Sequence, residues 1–358
     1  MKRSFLLTAA LLLLALCAAG EPFDPAAREA AGQADLAFLW GSDTHHQRST
    51  GKGAQYELIS RFVRSAEAVG ADFAAITGDL VHGGYNKAAQ TEDLEELCGW
   101  LAGCRVPVLL GMGNHDDNSW FVSGRATVKE IGSPEELMPK EDLYALVFGA
   151  LRSDFVRDPA NPYGGWYYKD FSRAKVRVIM LNSSDVPYIP AAEGLKYYGQ
   201  WTYAFRQEQL EWLANKALRF GKRGWGVIIM SHVTFVPAPA RPDRTMPINH
   251  ELVSELVEAF RTGGRGTLRS DREDYTVRVN YNFGHNLSRD YIASFAGHTH
   301  NNECDYQDGS PRLIVGNMFN KKHGGYDLVT IDRKRRRIGL MKCLDGETAP
   351  EWTRACAY

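Results

Sequence analysis

Carboxylate, imidazole and amide side chains gather in five short motifs along the chain. They are Asp43-Thr44-His45, Gly78-Asp79, Gly113-Asn114-His115-Asp116, Ser231-His232 and Gly297-His298-Thr299-His300. Each follows directly on a short apolar run that reads as a buried strand: Leu36 to Trp40, Phe73 to Thr77, Val106 to Leu110, Val227 to Met230 and Tyr291 to Ala296. One such residue at a strand end ordinarily marks only where the chain leaves the core. Five together point to one shared site at the carboxyl edge of a sheet, where open α/β folds place ligands. Mixed nitrogen and oxygen donors of this kind suit Mn, Fe, Zn or Co. Of the remaining histidines, His46 and His82 adjoin motifs and fit a supporting place beside the ligands. His250, His285 and His323 have no ligand spacing and read as surface or core groups.

Helical patterns of ordinary length separate the strands and must position these ends. Tyr56 to Val69 puts Leu58, Ile59, Phe62, Val63 and Ala66 on one face and stops at Gly70. Thr91 is placed to cap a helix with an acidic first turn and an inward stripe of Leu94, Leu97 and Leu101. Arg206 to Phe220 forms a third pattern, and Asn249 is placed to cap a fourth that buries Leu252, Val253, Leu256, Val257 and Phe260. Strands alternating with single helices predict α/β layering. The later part is richer in strands, at Trp166 to Phe171, Val176 to Leu181, Leu313 to Val315 and Tyr326 to Ile331.

Two stretches fit this pattern poorly, near 117–165 and 237–289. The first contains a predicted helix at Pro134 to Leu151, and the second a hairpin at Thr276 to Phe283. Both follow motif residues, so they are placed to wall the site and select substrate. Aromatic residues are dense nearby, among them Trp120, Tyr163, Trp166, Tyr167, Tyr168, Tyr188, Tyr197, Tyr198 and Trp201. Most read as packing, with one or two left to line a pocket.

Residues 1–20 read as an export signal: Lys2 and Arg3, an apolar stretch from Phe5 to Leu16, then Ala18-Ala19-Gly20. The apolar run falls short of the roughly 20 residues a membrane-spanning helix needs, so no stable membrane insertion is expected. A lipoprotein acylated at Cys17 is the minor alternative. The expected location is periplasmic or secreted. Without the leader, 40 basic residues face 43 acidic ones, a charge of −3. That balance gives no electrostatic argument for duplex nucleic acid as a partner. The cluster from Arg333 to Arg337 lies between strand-like runs and reads as a solvated hairpin turn. Export permits disulfides, and Cys98 with Cys104 is the best local pair among five remaining cysteines, with free buried thiols as the alternative. The expected organisation is a leader at 1–20, one domain at 34–346 and a tail at 347–358.

The five motifs, in this order, resemble the calcineurin-like metallophosphoesterase superfamily, over nearly the whole chain after residue 35. The resemblance implies a four-layer α/β/β/α sandwich of two mixed sheets flanked by helices. It also implies two divalent transition metal ions and a hydroxide between them that attacks phosphorus. Such ions neutralise phosphoryl charge and acidify bound water, and they need a bridging carboxylate when about 3.5–4 Å apart. By this pattern Asp43, His45, Asp79 and His300 hold the first ion, and Asp79, Asn114, His232 and His298 the second. An extended backbone would turn His298 and His300 to one side, with Thr299 away. The resemblance makes His115 the catalytic residue facing the phosphate, with Asp116 beside it to orient the ring.

Departures from other branches narrow the expectation. His45 stands where purple acid phosphatases carry glycine, and His82 where they carry a metal-binding tyrosine. Met112, preceding Gly113, replaces the arginine of Ser/Thr protein phosphatases. What remains resembles the bacterial group that includes class III cyclic-nucleotide phosphodiesterases. The expected activity is metal-dependent hydrolysis of a small phosphoester, favouring diesters. The alternatives are a nonspecific phosphomonoesterase, an extracellular nuclease or nucleotidase, and a catalytically silent metal-binding module.

Overall fold

The computed structural model describes residues 25–48, 52–119, 121–122, 133–149, 154–192, 194–197, 201–237, 246–307, 310–316, 318, 325–343 and 351–358. The leader with Cys17, and Trp120, Tyr198 and His323, lie outside these residues.

Two mixed sheets face each other. In the first, β1 (Leu36–Gly41), β2 (Phe73–Ile76) and β3 (Val108–Leu110) run parallel, with β2 between the other two. The antiparallel β15 (Tyr326–Asp332), β16 (Arg337–Cys343) and β17 (Glu351–Ala357) continue from the other edge of β1. The second sheet is centred on four parallel strands: β14 (Ser310–Ile314), β12 (Asp290–Ala296), β9 (Gly226–Met230) and β6 (Val176–Met180). Antiparallel β13 (Glu303–Gln307) closes one edge, and β5 (Tyr167–Phe171) with β4 (Val156–Arg157) the other. Two hairpins stand apart, β7 (Pro190–Ala191) with β8 (Gly194–Leu195), and β10 (Arg265–Ser270) with β11 (Val277–Asn282).

The two-residue period of the strands sorts their side chains into three cores. Phe38, Trp40, Phe73 and Leu109 point inward and meet Val178, Met180, Ile228 and Phe295 of the second sheet. Leu39, Ala74, Ile76 and Leu110 point outward onto the core shared with Ala27 and Ala31 of α1 (Pro25–Gln33), Phe62 of α2 (Lys52–Ala68) and Leu94 and Leu97 of α3 (Lys87–Ala102). On the far side, Ile179, Val227 and Ile229 pack against Leu210 of α5 (Gln207–Trp212) and Leu256 and Phe260 of α6 (His250–Thr262). The result is the expected α/β/β/α layering. Among the described residues, no helix is long and apolar enough to cross a membrane.

Several local expectations change. The cap of α3 is Asn86, whose side chain accepts from the Ala89 amide at 2.9 Å; Thr91 lies inside the helix and its hydroxyl donates to the Lys87 carbonyl. Asn249 precedes α6 as expected but does not cap it. Its φ is 67°, and its amide donates instead to the Phe205 and Tyr275 carbonyls. The Arg206 to Phe220 pattern is α-helical only through Trp212 and then widens into a π-type turn over Leu213–Ala217. Pro134 to Leu151 divides into a short 3-10 turn, Pro134–Glu136, and α4 (Lys140–Gly149). The 117–165 segment is therefore more than a wall, because Leu143, Tyr144 and Val147 of α4 join the outer core of the first sheet.

The expected tail at 347–358 is corrected too. Residues 351–357 form the edge strand β17, which pairs with β16 and buries Cys356 against the inter-sheet core. Cys98 and Cys104 form no disulfide with each other: Cys98 faces inward from α3, while Cys104 follows the end of that helix. The basic turn at 333–336 is only partly solvated. Arg333 reaches across to the carbonyl of Gly224 at 2.7 Å and to Asp290 at 2.9 Å, tying the two sheets together.

Candidate metal centre

All five motifs lie at the carboxyl ends of parallel strands. The loops after β1, β2 and β3 carry Asp43 and His45, Asp79, and Asn114 to Asp116; those after β9 and β12 carry His232, and His298 and His300. The two sheets thus contribute to one edge. The loops are stitched by their backbones: Asp43 donates to the Gly78 carbonyl, His45 to Asp79 and Gly297 to His232, each at 2.9 Å. Gly78 sits at φ 99°, and a Cβ there would meet the Cβ of His232 at 2.7 Å. A Cβ on Gly113 would collide with the backbone and carboxylate of Asp79. These glycines let three ligand loops approach one another.

Backbone geometry departs from the extended reading of His298-Thr299-His300. Asp43, His45, Asp79, His298 and His300 all occupy the left-handed region, at φ 55°, 41°, 49°, 70° and 56°. Side chains with a Cβ adopt it seldom, and it clusters at functional sites. Alternate residues still converge, by tight turns rather than by the pleat of a strand.

Two donor groups result. Asp43, His45 and His300 form one, with His300 Nε2 3.1 Å from Asp43 Oδ1 and 3.3 Å from His45 Nε2. Asp79, His232 and His298 form the other, with His232 Nε2 3.2 Å from Asp79 Oδ2, 3.0 Å from Asn114 Oδ1 and 3.3 Å from His298 Nδ1. Asp79 links them, since its Oδ2 also lies 3.7 Å from His45 Nε2. Its Oδ1 accepts the His115 amide at 3.0 Å. His232 Nδ1 donates to the Thr77 carbonyl at 2.9 Å, which places the lone pair of the neutral ring on Nε2, toward the cluster. Imidazole nitrogens converging on each other twice at 3.3 Å need a shared proton or cation between them. The donor set therefore fits two divalent ions, and all seven expected ligand positions are brought together.

Burial and charge make the same point. Burial pushes His45 down to about 4 and His298 to about 3, so both rings are neutral as metal ligands must be. Burial would lower His232 too, but the charges of Asp79 and Asp43 raise it to about 9. Burial would raise Asp43, yet the His232 charge and the His300 hydrogen bond bring it to about 2. Asp79, also buried, is held well below the ordinary carboxylate range chiefly by His232 and His115. The proton that His232 holds among these carboxylates occupies the place a cation takes.

Asp116 has a different task from the one expected. Its oxygens accept the backbone amides of Gly113 at 2.7 Å and Val81 at 3.1 Å, and burial with the nearby Asp79 charge raises it to about 7. Its carboxylate fixes the loop, because both oxygens are drawn to main-chain donors. The ring of His115 is oriented instead by the His82 carbonyl, which accepts from Nδ1 at 2.5 Å, leaving Nε2 3.9 Å from Asp79 Oδ2. His82 stands close by, its ring 5.5 Å from that of His45 and 5.7 Å from that of His115. Tyr203 escaped the sequence reading. Its ring packs edge-on against His298 at 4.7 Å, yet it belongs to no strand-end motif that would mark it.

The calcineurin-like phosphoesterase family matches residues 37–302. Among solved structures, a dimetal phosphatase from Danio rerio is similar with 14% identity and a TM-score of 0.56, over 86% of this chain and 96% of that one. A purple acid phosphatase from yellow lupin (Lupinus luteus) is similar with 12% identity and a TM-score of 0.53, over 90% of this chain and 53% of that one. No curated protein matches the chain. With the family covering most of its length, this chain belongs to the calcineurin-like phosphoesterases. It is a metal-dependent phosphoester hydrolase, and the family implies a dinuclear divalent centre, for which the two donor groups are the candidate.

Proposed function

We propose that this hydrolase is exported and turns over phosphodiesters with a higher kcat/KM than phosphomonoesters. Asp79, set between two groups of imidazole and carboxylate donors, is the observation that carries the hydrolytic reading. Two ions held there would neutralise phosphoryl charge and acidify a water near neutrality. The chain's own residues do the rest. His115, locked through Nδ1 by the His82 carbonyl, presents Nε2 toward the bridging carboxylate and is placed to bind the phosphoryl group and protonate the leaving oxygen. Asp116 keeps that loop in place through the Gly113 and Val81 amides.

The diester preference draws support from the side of the site next to His298. A diester carries a second substituent, and binding that remote part helps to orient the reacting phosphorus. The buried Tyr203, packed edge-on against His298, lends that side of the site an aromatic backing. Export rests on the leader-like residues 1–20. Matched kinetics on mono- and bis-p-nitrophenyl phosphate, with cyclic nucleotides and glycerophosphodiesters beside them, test the substrate class. The expected result is the higher kcat/KM on the diester, with Tyr203→Ala reducing diester turnover more than monoester turnover. A monoester preference untouched by Tyr203→Ala would make this a nonspecific phosphatase.

A further inference from the structure

The metal loops bring together a third group of side chains, beside the two donor groups. Ring nitrogens of His45, His82 and His115 lie within 4.8 Å of one another. The His82 ring stands 5.5 Å from that of His45 and 5.7 Å from that of His115, the latter two planes inclined by only 29°. This group contains no carboxylate, and His82 is exposed where Asp43, Asp79 and His232 are buried. His45 already belongs to the first donor group, which leaves His82 and His115. Two rings are fewer than the three protein ligands that even an open catalytic metal site needs. They suffice to hold one oxygen of an anion.

The main chain fixes where the His82 ring stands. Its amide donates to the His46 carbonyl at 3.2 Å, and its carbonyl accepts from His115 Nδ1. On one side of it the Val81 amide donates to Asp116 at 3.1 Å, and on the other the Gly84 amide donates to Asn118 Oδ1 at 2.8 Å. The loops after β1 and β3 thus grip residues 81–84 between them. Every one of these bonds uses a backbone atom of that segment, so none of them requires an imidazole at position 82.

We propose that the His82 ring is a second contact for the phosphoryl group, donating a hydrogen bond to an oxygen that lies between it and His115. Nitrogens no more than 4.8 Å apart let one atom sit at ordinary hydrogen-bond distance, about 2.7–3.2 Å, from both. The inference rests on the phosphoester reading of the centre, which makes a phosphoryl oxygen the acceptor that arrives beside His115. A donor held in place before substrate binds needs no reorganisation when charge develops on that oxygen. His82 therefore has two separate tasks: its carbonyl orients His115, and its ring touches substrate.

Alanine at position 82 keeps the carbonyl that orients His115, so it removes the second task and spares the first. Calorimetric titration of the metal-loaded protein with orthophosphate reads the contact apart from turnover. A hydrogen bond to a charged oxygen corresponds to roughly 10- to 100-fold in affinity, and His82→Ala should weaken orthophosphate binding by that factor. The same variant should lose at least as much in kcat/KM on both mono- and bis-p-nitrophenyl phosphate, with metal content and melting temperature unchanged. His82→Gln, which keeps an N–H donor, should recover part of the loss on both measures, and His82→Leu none. Orthophosphate affinity and kcat/KM unchanged in His82→Ala would overturn the proposal and leave the ring a bystander. Loss of a metal ion from that variant would overturn it as well, by making His82 a ligand. Because the loss is expected on both esters, a monoester preference in the parent would refute the diester reading and leave this contact standing.

Discussion

The centre depends on residues that the backbone would ordinarily avoid. Five of the ligand positions lie at positive φ, a conformation costing roughly 1–3 kcal/mol each for a residue with a Cβ. The cost is met by the cross-loop hydrogen bonds of Asp43, His45 and Gly297, and by carboxylates that grip main-chain amides, as Asp43 grips His298 and Asp116 grips Gly113. His115 differs from this set, because its ring is held by a backbone carbonyl and its side chain groups with His45 and His82 rather than with a carboxylate. Replacing it with alanine should therefore leave metal content and melting temperature near those of the parent. Turnover should fall about 10²–10⁴-fold, the usual contribution of a positioned acid or phosphate contact. Elemental analysis beside kcat separates the alternatives: metal lost together with activity would make His115 a ligand and refute the assignment. The residues that converge on the centre were legible because each type stands at a strand end. Asp116 was misread, since sequence adjacency to His115 says nothing about which way a carboxylate turns in a tight loop.

Helices do more than cover the sheets. Along α3, Gln90, Asp93 and Glu96 recur every three residues and hold two motif loops: Gln90 donates to the Asp116 carbonyl after β3, while Asp93 accepts the Arg48 amide and Glu96 meets His46 Nε2 at 2.9 Å in the loop after β1. The apolar stripe of this helix was readable from its period, but its polar stripe was hidden, because its partners are far away in sequence. A second tie is the fully buried Asp185, which takes Lys140 of α4 at 2.9 Å and Arg206, at the start of α5, at 2.7 Å, linking the helical layers of the two sheets. Burial alone would raise its carboxyl, but the two cations hold it below its ordinary value of 3.8. A carboxyl depressed by folding contributes stability above its unfolded pKa, and that contribution disappears as pH falls through the folded pKa. Asp185→Asn should therefore cost stability at pH 7, near the low end of roughly 3–5 kcal/mol because both cations retain some contact with water. Urea melts of parent and variant should converge as pH drops below about 4. A gap that stays constant from pH 7 to pH 3 would contradict the role given to this ion pair.

At the scale of the whole molecule, the centre exists because two sheets are pressed together at one edge. Trp40 of β1 meets Phe295 of β12 edge-on at 4.8 Å, each three residues before a ligand, so the inter-sheet core registers one set of loops against the other. Aromatic contacts of this kind add about 0.5–1.5 kcal/mol beyond the area they bury. The two-layer core was readable as apolar runs with a two-residue period, and the family resemblance supplied the number of sheets. What escaped was long-range: the edge strand β17, whose pairing is fixed by β16, and Arg333, whose partners lie across the molecule in the second sheet. The central claim is one two-ion site assembled from both sheets and bridged by Asp79. Elemental analysis of purified protein and of Asp79→Asn tests it directly. The account predicts close to two transition metal ions per chain in the parent and loss at both positions in the variant, whereas His45→Ala and Asn114→Ala each lose about one. Full occupancy in Asp79→Asn, or a single ion in the parent, would contradict it.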